Sequence, residues 1–195
     1  MDVTATGAFP LQLSVTLGVE SEPTGNDIIE GIKREARNIG LDPNQVIMEN
    51  TEDNFQTVQT GAGLTVIGLA NEDELRLGKT MPGDLIVAIG RPKVGIEVIA
   101  AEARGEIADL RNVVQLNQRK YVHDIEAVGS FGIANEAKMM AYGVGRQLKL
   151  NQVAGLDLEK SAGPATVVLA TVDPDRLEDL RELIPKPFSV VGEIL

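Results

Sequence analysis

Three short polar stretches carry the residue types that could do chemistry. Residues 1–10 read MDVTATGAFP, with Asp2, Thr4 and Thr6 ahead of Gly7. Residues 49–54 read ENTEDN, and residues 122–132 read VHDIEAVGSFG with the one histidine of the chain, His123. The crowded carboxylates Glu49, Glu52 and Asp53 repel one another, and a bound magnesium ion would relieve that repulsion. His123 and Asp124 are adjacent in a strand-like run, so their side chains point to opposite faces and cannot pair with each other. The GSFG turn, 129–132, stands before a helical pattern and could offer backbone amides to an anion, although it matches neither the dinucleotide fingerprint nor the P-loop. Nor is GRPKVG, 90–95, a P-loop, because its lysine lies between the glycines and no Ser or Thr follows. Each stretch has a plainer reading beside the chemical one: a frayed N-terminus, a solvated acidic loop, and a core histidine with one satisfied nitrogen.

Composition narrows the chemistry further. The 195 residues are 43% hydrophobic and 24% charged, as in an ordinary globular protein of one large or two small domains. With no cysteine, a disulfide scaffold, a zinc-thiolate site, an iron–sulfur cluster and a cysteine nucleophile are excluded. A single histidine excludes a multi-histidine metal site, so any metal sits on oxygen ligands, which favours magnesium. Eighteen basic against 29 acidic residues leave a net charge of -11, a surface that repels nucleic acid. Phosphorylated small molecules stay possible, because local amides and a metal can hold them. Aromatic residues are 3% with no Trp, which argues against base-stacking platforms. No apolar run approaches the ~18 residues of a membrane span and no secretory signal is visible, so a cytoplasmic protein that does not engage the membrane is expected.

The elements that must position these residues follow from hydrophobic period. Residues 9–17 alternate as a half-buried strand, with Leu11, Leu13, Val15 and Leu17 against Gln12, Ser14 and Thr16. From Asn26 the period becomes helical through Ile28, Ile29, Ile32, Ala36 and Ile39, and Gly40 supplies the stop. A short apolar run at 46–48 leads into the acidic stretch, and 64–69 is a further strand loosened at its entry by Gly61 and Gly63. Residues 81–84, Met-Pro-Gly-Asp, are a turn ahead of the buried strand 85–90, and a domain boundary is expected near Lys79 to Pro82. Helical patterns at 98–103 and 107–116 precede a strand at 121–128 and a helix at about 133–142. A strand at 165–172, a helix capped by Asp173 with Pro174 at its first position, and a strand at 188–194 complete a mixed α/β pattern.

Taken in order, these segments resemble the AIR synthase (PurM-like) superfamily. The segment MDVTATGAFPLQLSVTL is similar to the family's Asn-Asp-x-x-x-x-Gly-Ala-x-Pro element, with Asp2, Gly7, Ala8 and Pro10 in place and Met1 where asparagine is expected. ENTEDN falls where the family has a Gly-Gly-Glu/Asp-Thr loop, with Glu49 in place of a glycine, and LTVIGLA and PGDLIVAIG resemble the junction of the two family domains. Thr51-Glu52-x-Asn54-Phe55, the VHDIEAVGS element of 122–130 and Ser-Ala-Gly-Pro-Ala-Thr at 161–166 are most similar to the α-ribazole kinases of that superfamily.

The resemblance implies an α/β (α+β) two-domain architecture: a truncated N-terminal ATP-binding domain over 1–80 and a mixed α/β C-terminal domain over 81–195. It implies ATP and Mg2+ as cofactors and a kinase-like transfer of phosphate to a small-molecule hydroxyl such as that of a ribosyl nucleoside. Asp2, Glu52 and Asp53 would hold magnesium, Asp2, Thr51, Asn54, Gly129 and Ser130 would bind the nucleotide, and His123 would act at the acceptor. A homodimer is expected. The alternatives are a non-catalytic nucleotide-binding or regulatory member, favoured by the missing start and by Glu49, and a ring-closing ATP-dependent enzyme like AIR synthase itself.

Overall fold

A computed structural model describes residues Met1–Leu195. In chain order its elements begin with α1 (Asp2–Ala5), β1 (Phe9–Gly18), α2 (Asn26–Asn38), α3 (Pro43–Val46), β2 (Ile47–Glu52) and β3 (Gly61–Leu69). They continue with β4 (Leu85–Gly90), α4 (Glu97–Ala103), α5 (Leu110–Asn117), β5 (Val122–Ala127), α6 (Gly132–Gly143), β6 (Leu148–Leu150), β7 (Val167–Val172), α7 (Leu177–Leu183) and β8 (Phe188–Ile194). The chain divides into two compact units, Ala8–Asp73 and a larger one assembled from Met1–Gly7 with Glu74–Leu195.

In the smaller unit β1 is central, with β2 parallel on one side and β3 antiparallel on the other. The alternation of β1 puts Val15 and Leu17 into a cluster with Ile29, and Ile28, Ile32 and Ile47 pack against it. Gln12, Ser14 and Thr16 of the opposite face are exposed, as period two requires. The α2 helix ends on Gly40 at φ +83°, where the Gly40 amide donates to Arg37 (3.0 Å) and the Leu41 amide to Ala36 (3.1 Å). That double closure needs a left-handed residue, which glycine supplies without a Cβ clash. The acidic stretch is not a loop from its start: Glu49 to Glu52 continue β2 and pair with Val15 to Gly18. β2 is an edge strand whose polar side chains stay in solvent, so its backbone bonds to β1 decide the conformation over residue preference.

The larger unit is an antiparallel sheet of order β5-β7-β4-β8-β6. Both central strands are buried on both faces. Ile86, Ala88, Val167 and Leu169 pack against Ile133, Ala134, Ala137 and Met140 of α6. Val87, Ile89, Val168, Ala170 and Val172 pack against Val113 and Leu116 of α5, Leu180 of α7 and Ile184 beyond it, with Ala5 of α1 in the same cluster. Helices on two sides explain why LIVAIG and VVLATV do not alternate with polar residues, Thr171 being the one polar side chain, although their neighbours are antiparallel.

Several details depart from the sequence reading. The N-terminus is not frayed, because Thr4 and Ala5 are 7% and 3% exposed and α1 packs into the larger unit. Residues 1–7 therefore belong to the larger compact unit, which the chain leaves at Ala8 and rejoins at Glu74. The strand expected from Ala165 starts at Val167, since Ala165 sits at φ +57°. Asp173 accepts from the Asp175 amide (2.9 Å) as foreseen, but Pro174–Arg176 form a tighter turn before α7 begins. The short β6 gave no period to read.

Gly90 closes β4 at φ +96°, and a Cβ there would lie 2.4 Å from the Thr166 carbonyl oxygen and 2.7 Å from the Ala108 amide nitrogen. Those two atoms are themselves hydrogen-bonded at 2.9 Å. Gly90→Ala is therefore expected to cost more than about 2 kcal/mol in urea unfolding, by strained φ together with backbone displacement.

Candidate functional site

The sheet of the larger unit has two chemically different ends. Because β4 and β5 both run antiparallel to β7, they point the same way and their last residues lie at one end. There the loops 90–95, 129–132 and 161–166 meet. The Lys93 amide donates to Thr166 Oγ1 (3.0 Å), and the Ala162 amide donates to the Gly129 carbonyl (3.1 Å). A Cβ on Gly163 would be 3.7 Å from Ser130 Oγ and 3.8 Å from Ser161 Oγ, so two hydroxyls flank this glycine. Gly132 opens α6 at φ +79°, pressed against the carbonyls of Leu158 and Glu159, with Leu158 taking the Ala134 amide (2.9 Å). Cations line the rim in ion pairs: Lys160 with Glu97 (2.7 Å) and Lys93 with Glu106 (3.8 Å), while Arg91 donates to the Gly155 carbonyl (2.9 Å). Hydroxyls, a helix start and exchangeable cations suit a phosphate-bearing small molecule.

At the opposite end stands His123. Its Nδ1 lies 3.0 and 2.9 Å from the two oxygens of Asp84, whose side chain is 3% exposed against 20% for His123. A carboxylate only accepts, so Nδ1 is the donor in this pair, and Nε2 is the ring nitrogen that Asp84 does not engage. Asp84 is fixed in turn by the Met81 amide (2.7 Å). As the alternation required, Asp124 faces elsewhere: it accepts from the Gly78 amide (3.0 Å) and the Thr80 hydroxyl (3.3 Å). Burial raises its pKa, and the amides of Ile125, Gly78 and Lys79 with the Thr80 hydroxyl oppose that rise. His123 and Gly129 are separated by the length of β5, roughly 20 Å at ~3.3 Å per residue, so the histidine and the Ser130 turn do not meet at one point. The Asp84 partner was missed in the sequence; its signal was the Pro82-Gly83-Asp84 turn before a buried strand.

The remaining site residues divide between the units. Asp2 opens α1 in the larger unit, where Glu126, although exposed on β5, is pushed up to about 6, by desolvation first and then by the charges of Glu136, Asp2 and Asp124. In the smaller unit Thr51 is half-buried in β2, while Glu52, Asp53 and Asn54 are exposed. Asp53 accepts from the Ser21 hydroxyl at 2.5 Å, and Glu49 lies 3.9 Å from Lys33. An open depression of about 500 Å³ is bordered by Glu20, Asp53, Asn54 and Phe55, with Gln56, Thr57 and Val58 and no cation. No group of three or more Asp, Glu or His side chains gathers where it could hold a metal ion. A resident magnesium site built from protein alone therefore does not fit, whereas magnesium arriving on nucleotide phosphates needs only one or two carboxylates. No helix is long and apolar enough to cross a membrane.

Glu126 binds more protons folded than unfolded between its ordinary 4.5 and about 6, so its contribution to stability is present below pH 4.5 and lost as pH rises through 6. Thermal melts should thus show Glu126→Gln gaining on the parent across that window and remaining the more stable at pH 7. Parallel Tm curves for the two proteins would refute this.

No protein-family model and no curated protein sequence matches the chain. Solved structures do. The hydrogenase maturation protein HypE of E. coli superposes with a TM-score of 0.74 at 15% identity, over 98% of this chain and 69% of that one. HypE solved in complex with ATP matches with a TM-score of 0.68 at 18% identity, over 98% and 67%. T. maritima PurL complexed with AMPPCP matches with a TM-score of 0.64 at 15% identity, over 100% of this chain and 35% of that one. The fold is accordingly the PurM-like mixed α/β fold that HypE and PurL share.

Proposed function

We propose that this chain is an ATP-using member of the AIR synthase superfamily, a cytoplasmic phosphotransferase acting on a small-molecule hydroxyl such as that of a ribosyl nucleoside, in the manner of an α-ribazole kinase. The observation that carries the nucleotide part is the likeness, over 98% of this chain, to a HypE structure that contains ATP. Asp2 in the larger unit, and Glu52 and Asp53 with Thr51 and Asn54 in the smaller one, are each candidate contacts for the magnesium complex of ATP, which needs only one or two carboxylates. Gly129 and Ser130 offer an amide-and-hydroxyl turn for phosphate, while His123, held through Nδ1 by Asp84, keeps Nε2 for the acceptor proton. In the transfer, the bond from the γ-phosphorus to its bridging oxygen breaks as the acceptor oxygen bonds to phosphorus and releases its proton. Positioning and charge neutralisation carry such a step without a covalent intermediate. Because the oxygen that loses the proton is the one that attacks phosphorus, His123 and Ser130 at opposite ends of β5 cannot both meet the transferred phosphate, and Ser130 would hold a phosphate other than the one transferred.

One observation favours a second reading. Glu49, exposed on β2 and 3.9 Å from Lys33, stands where the resemblance expects a phosphate-loop glycine, which suits a nucleotide-binding member without turnover. Saturation with magnesium and ATP at about 100 times Kd should raise the Tm by about 5 to 10 °C. A folded sample that shows no shift would overturn nucleotide binding altogether. Transfer of labelled γ-phosphate to α-ribazole separates the kinase from the silent binder.

A homodimer completes the proposal. β3 is an edge strand without a single charged residue, and it exposes Leu64, Ile67 and Leu69. Such an edge pairs with another chain unless something covers it. Light scattering should return twice the chain mass, and a monomer would remove the expectation.

A further inference from the structure

A helix of one turn does not hold itself together in water, because nucleation fixes several residues for a single hydrogen bond. Yet α1, with Asp2 at its start, is ordered and packed: the Ala5 side chain lies in the cluster that holds Val113, Leu116 and Val122. Its own bonds are few, from Ala5 to Met1 (2.8 Å), from Thr6 to Asp2 (3.2 Å) and from Gly7 to Thr4 (3.1 Å). The carbonyls at its C-terminal end would be orphaned without partners from outside. Two residues supply them. Asn117, the last residue of α5, donates Nδ2 to the Thr4 carbonyl at 2.5 Å, and the Arg76 amide donates to the Thr6 carbonyl at 2.9 Å.

The same Arg76 also fixes Asn117. Its guanidinium donates to the carbonyls of Asn117 (2.6 Å), Arg119 (3.2 Å) and Val122, gathering the end of α5 and the start of β5 around one side chain. Asn117 holds α1 at the cost of its other amide atom: Oδ1 is buried with no hydrogen-bond partner. A group that only filled space there would have no reason to carry an unsatisfied oxygen.

We infer that Asn117 and Arg76 are positioning residues for Asp2, holding α1 by its carbonyls so that the carboxylate at its start is presented in a fixed place. This rests on the reading above that Asp2 meets the nucleotide. Neither residue touches ligand; each acts through α1.

Asn117→Ala removes the donor and the orphaned oxygen together, so the fold should survive, and Asn117→Asp keeps the shape without the donor. In hydrogen exchange, both variants should speed the amides of Ala5, Thr6 and Gly7 about tenfold while those of α5 and β5 stay as in the parent. With magnesium and ATP as probe, Kd should rise roughly two- to tenfold, the range of one lost hydrogen bond. Asn117→Ala combined with Asp2→Asn should bind no more weakly than Asp2→Asn alone, which a merely structural role would not produce. Parent-like exchange in α1 for either variant, or additive losses in the double variant, overturns the inference. If the parent itself does not bind ATP, the functional reading falls, and exchange at α1 alone decides whether Asn117 holds the helix.

Discussion

Burial of β4 and β7 on both faces is the constraint from which the larger unit follows. Two antiparallel strands whose side chains point alternately into separate clusters need helices above and below. The α6 helix covers one face, and α5 and α7 with the single turn of α1 cover the other. Fully burying a Val, Leu or Ile side chain is worth about 1.5–3 kcal/mol, and seven such residues on these strands, Ile86, Val87, Ile89, Val167, Val168, Leu169 and Val172, act together. Polar groups gather at the strand ends, where the loops 90–95, 129–132 and 161–166 and the Asp84–His123 pair are found.

The two ends are built on opposite principles. At one, glycines let loops approach closely: Gly90 and Gly132 adopt positive φ with backbone atoms pressed where a side chain would go. The result is a surface of amides and hydroxyls with cations in exchangeable pairs. At the other, polar side chains are locked inward. Asp84 holds His123, Asp124 accepts from the Gly78 amide and the Thr80 hydroxyl, and the Asp124 amide donates to Thr171 Oγ1 of the neighbouring strand. One end is suited to receive a ligand, while at the other the carboxylates of Asp84 and Asp124 are bound by the protein itself.

The smaller unit contributes its acidic residues differently. Glu49 to Glu52 are held in an edge strand by β1, so their carboxylates project from a fixed ladder into solvent instead of converging. Separation keeps their mutual repulsion small without a resident ion, and it leaves Asp53 free to take the Ser21 hydroxyl. The chain thus spreads its negative charge rather than concentrating it in a metal cage.

Strand and helix identity was legible in the sequence wherever burial sets a period. The alternation over 9–17, the helical stripe ending at Gly40 and the runs LIVAIG and VVLATV follow directly from side-chain chemistry, and so does the opposed orientation of His123 and Asp124. Composition alone also excluded thiol and multi-histidine chemistry. Only the tertiary structure decided which polar groups meet, because contact between residues far apart in the chain has no local signature. It joined Asp84 to His123, drew residues 1–7 into the larger unit through Asn117 and Arg76, and turned the acidic stretch into a strand by pairing it with β1. Sequence period reports which side of an element is buried; the identity of the neighbour comes from how the sheets and helices close around it.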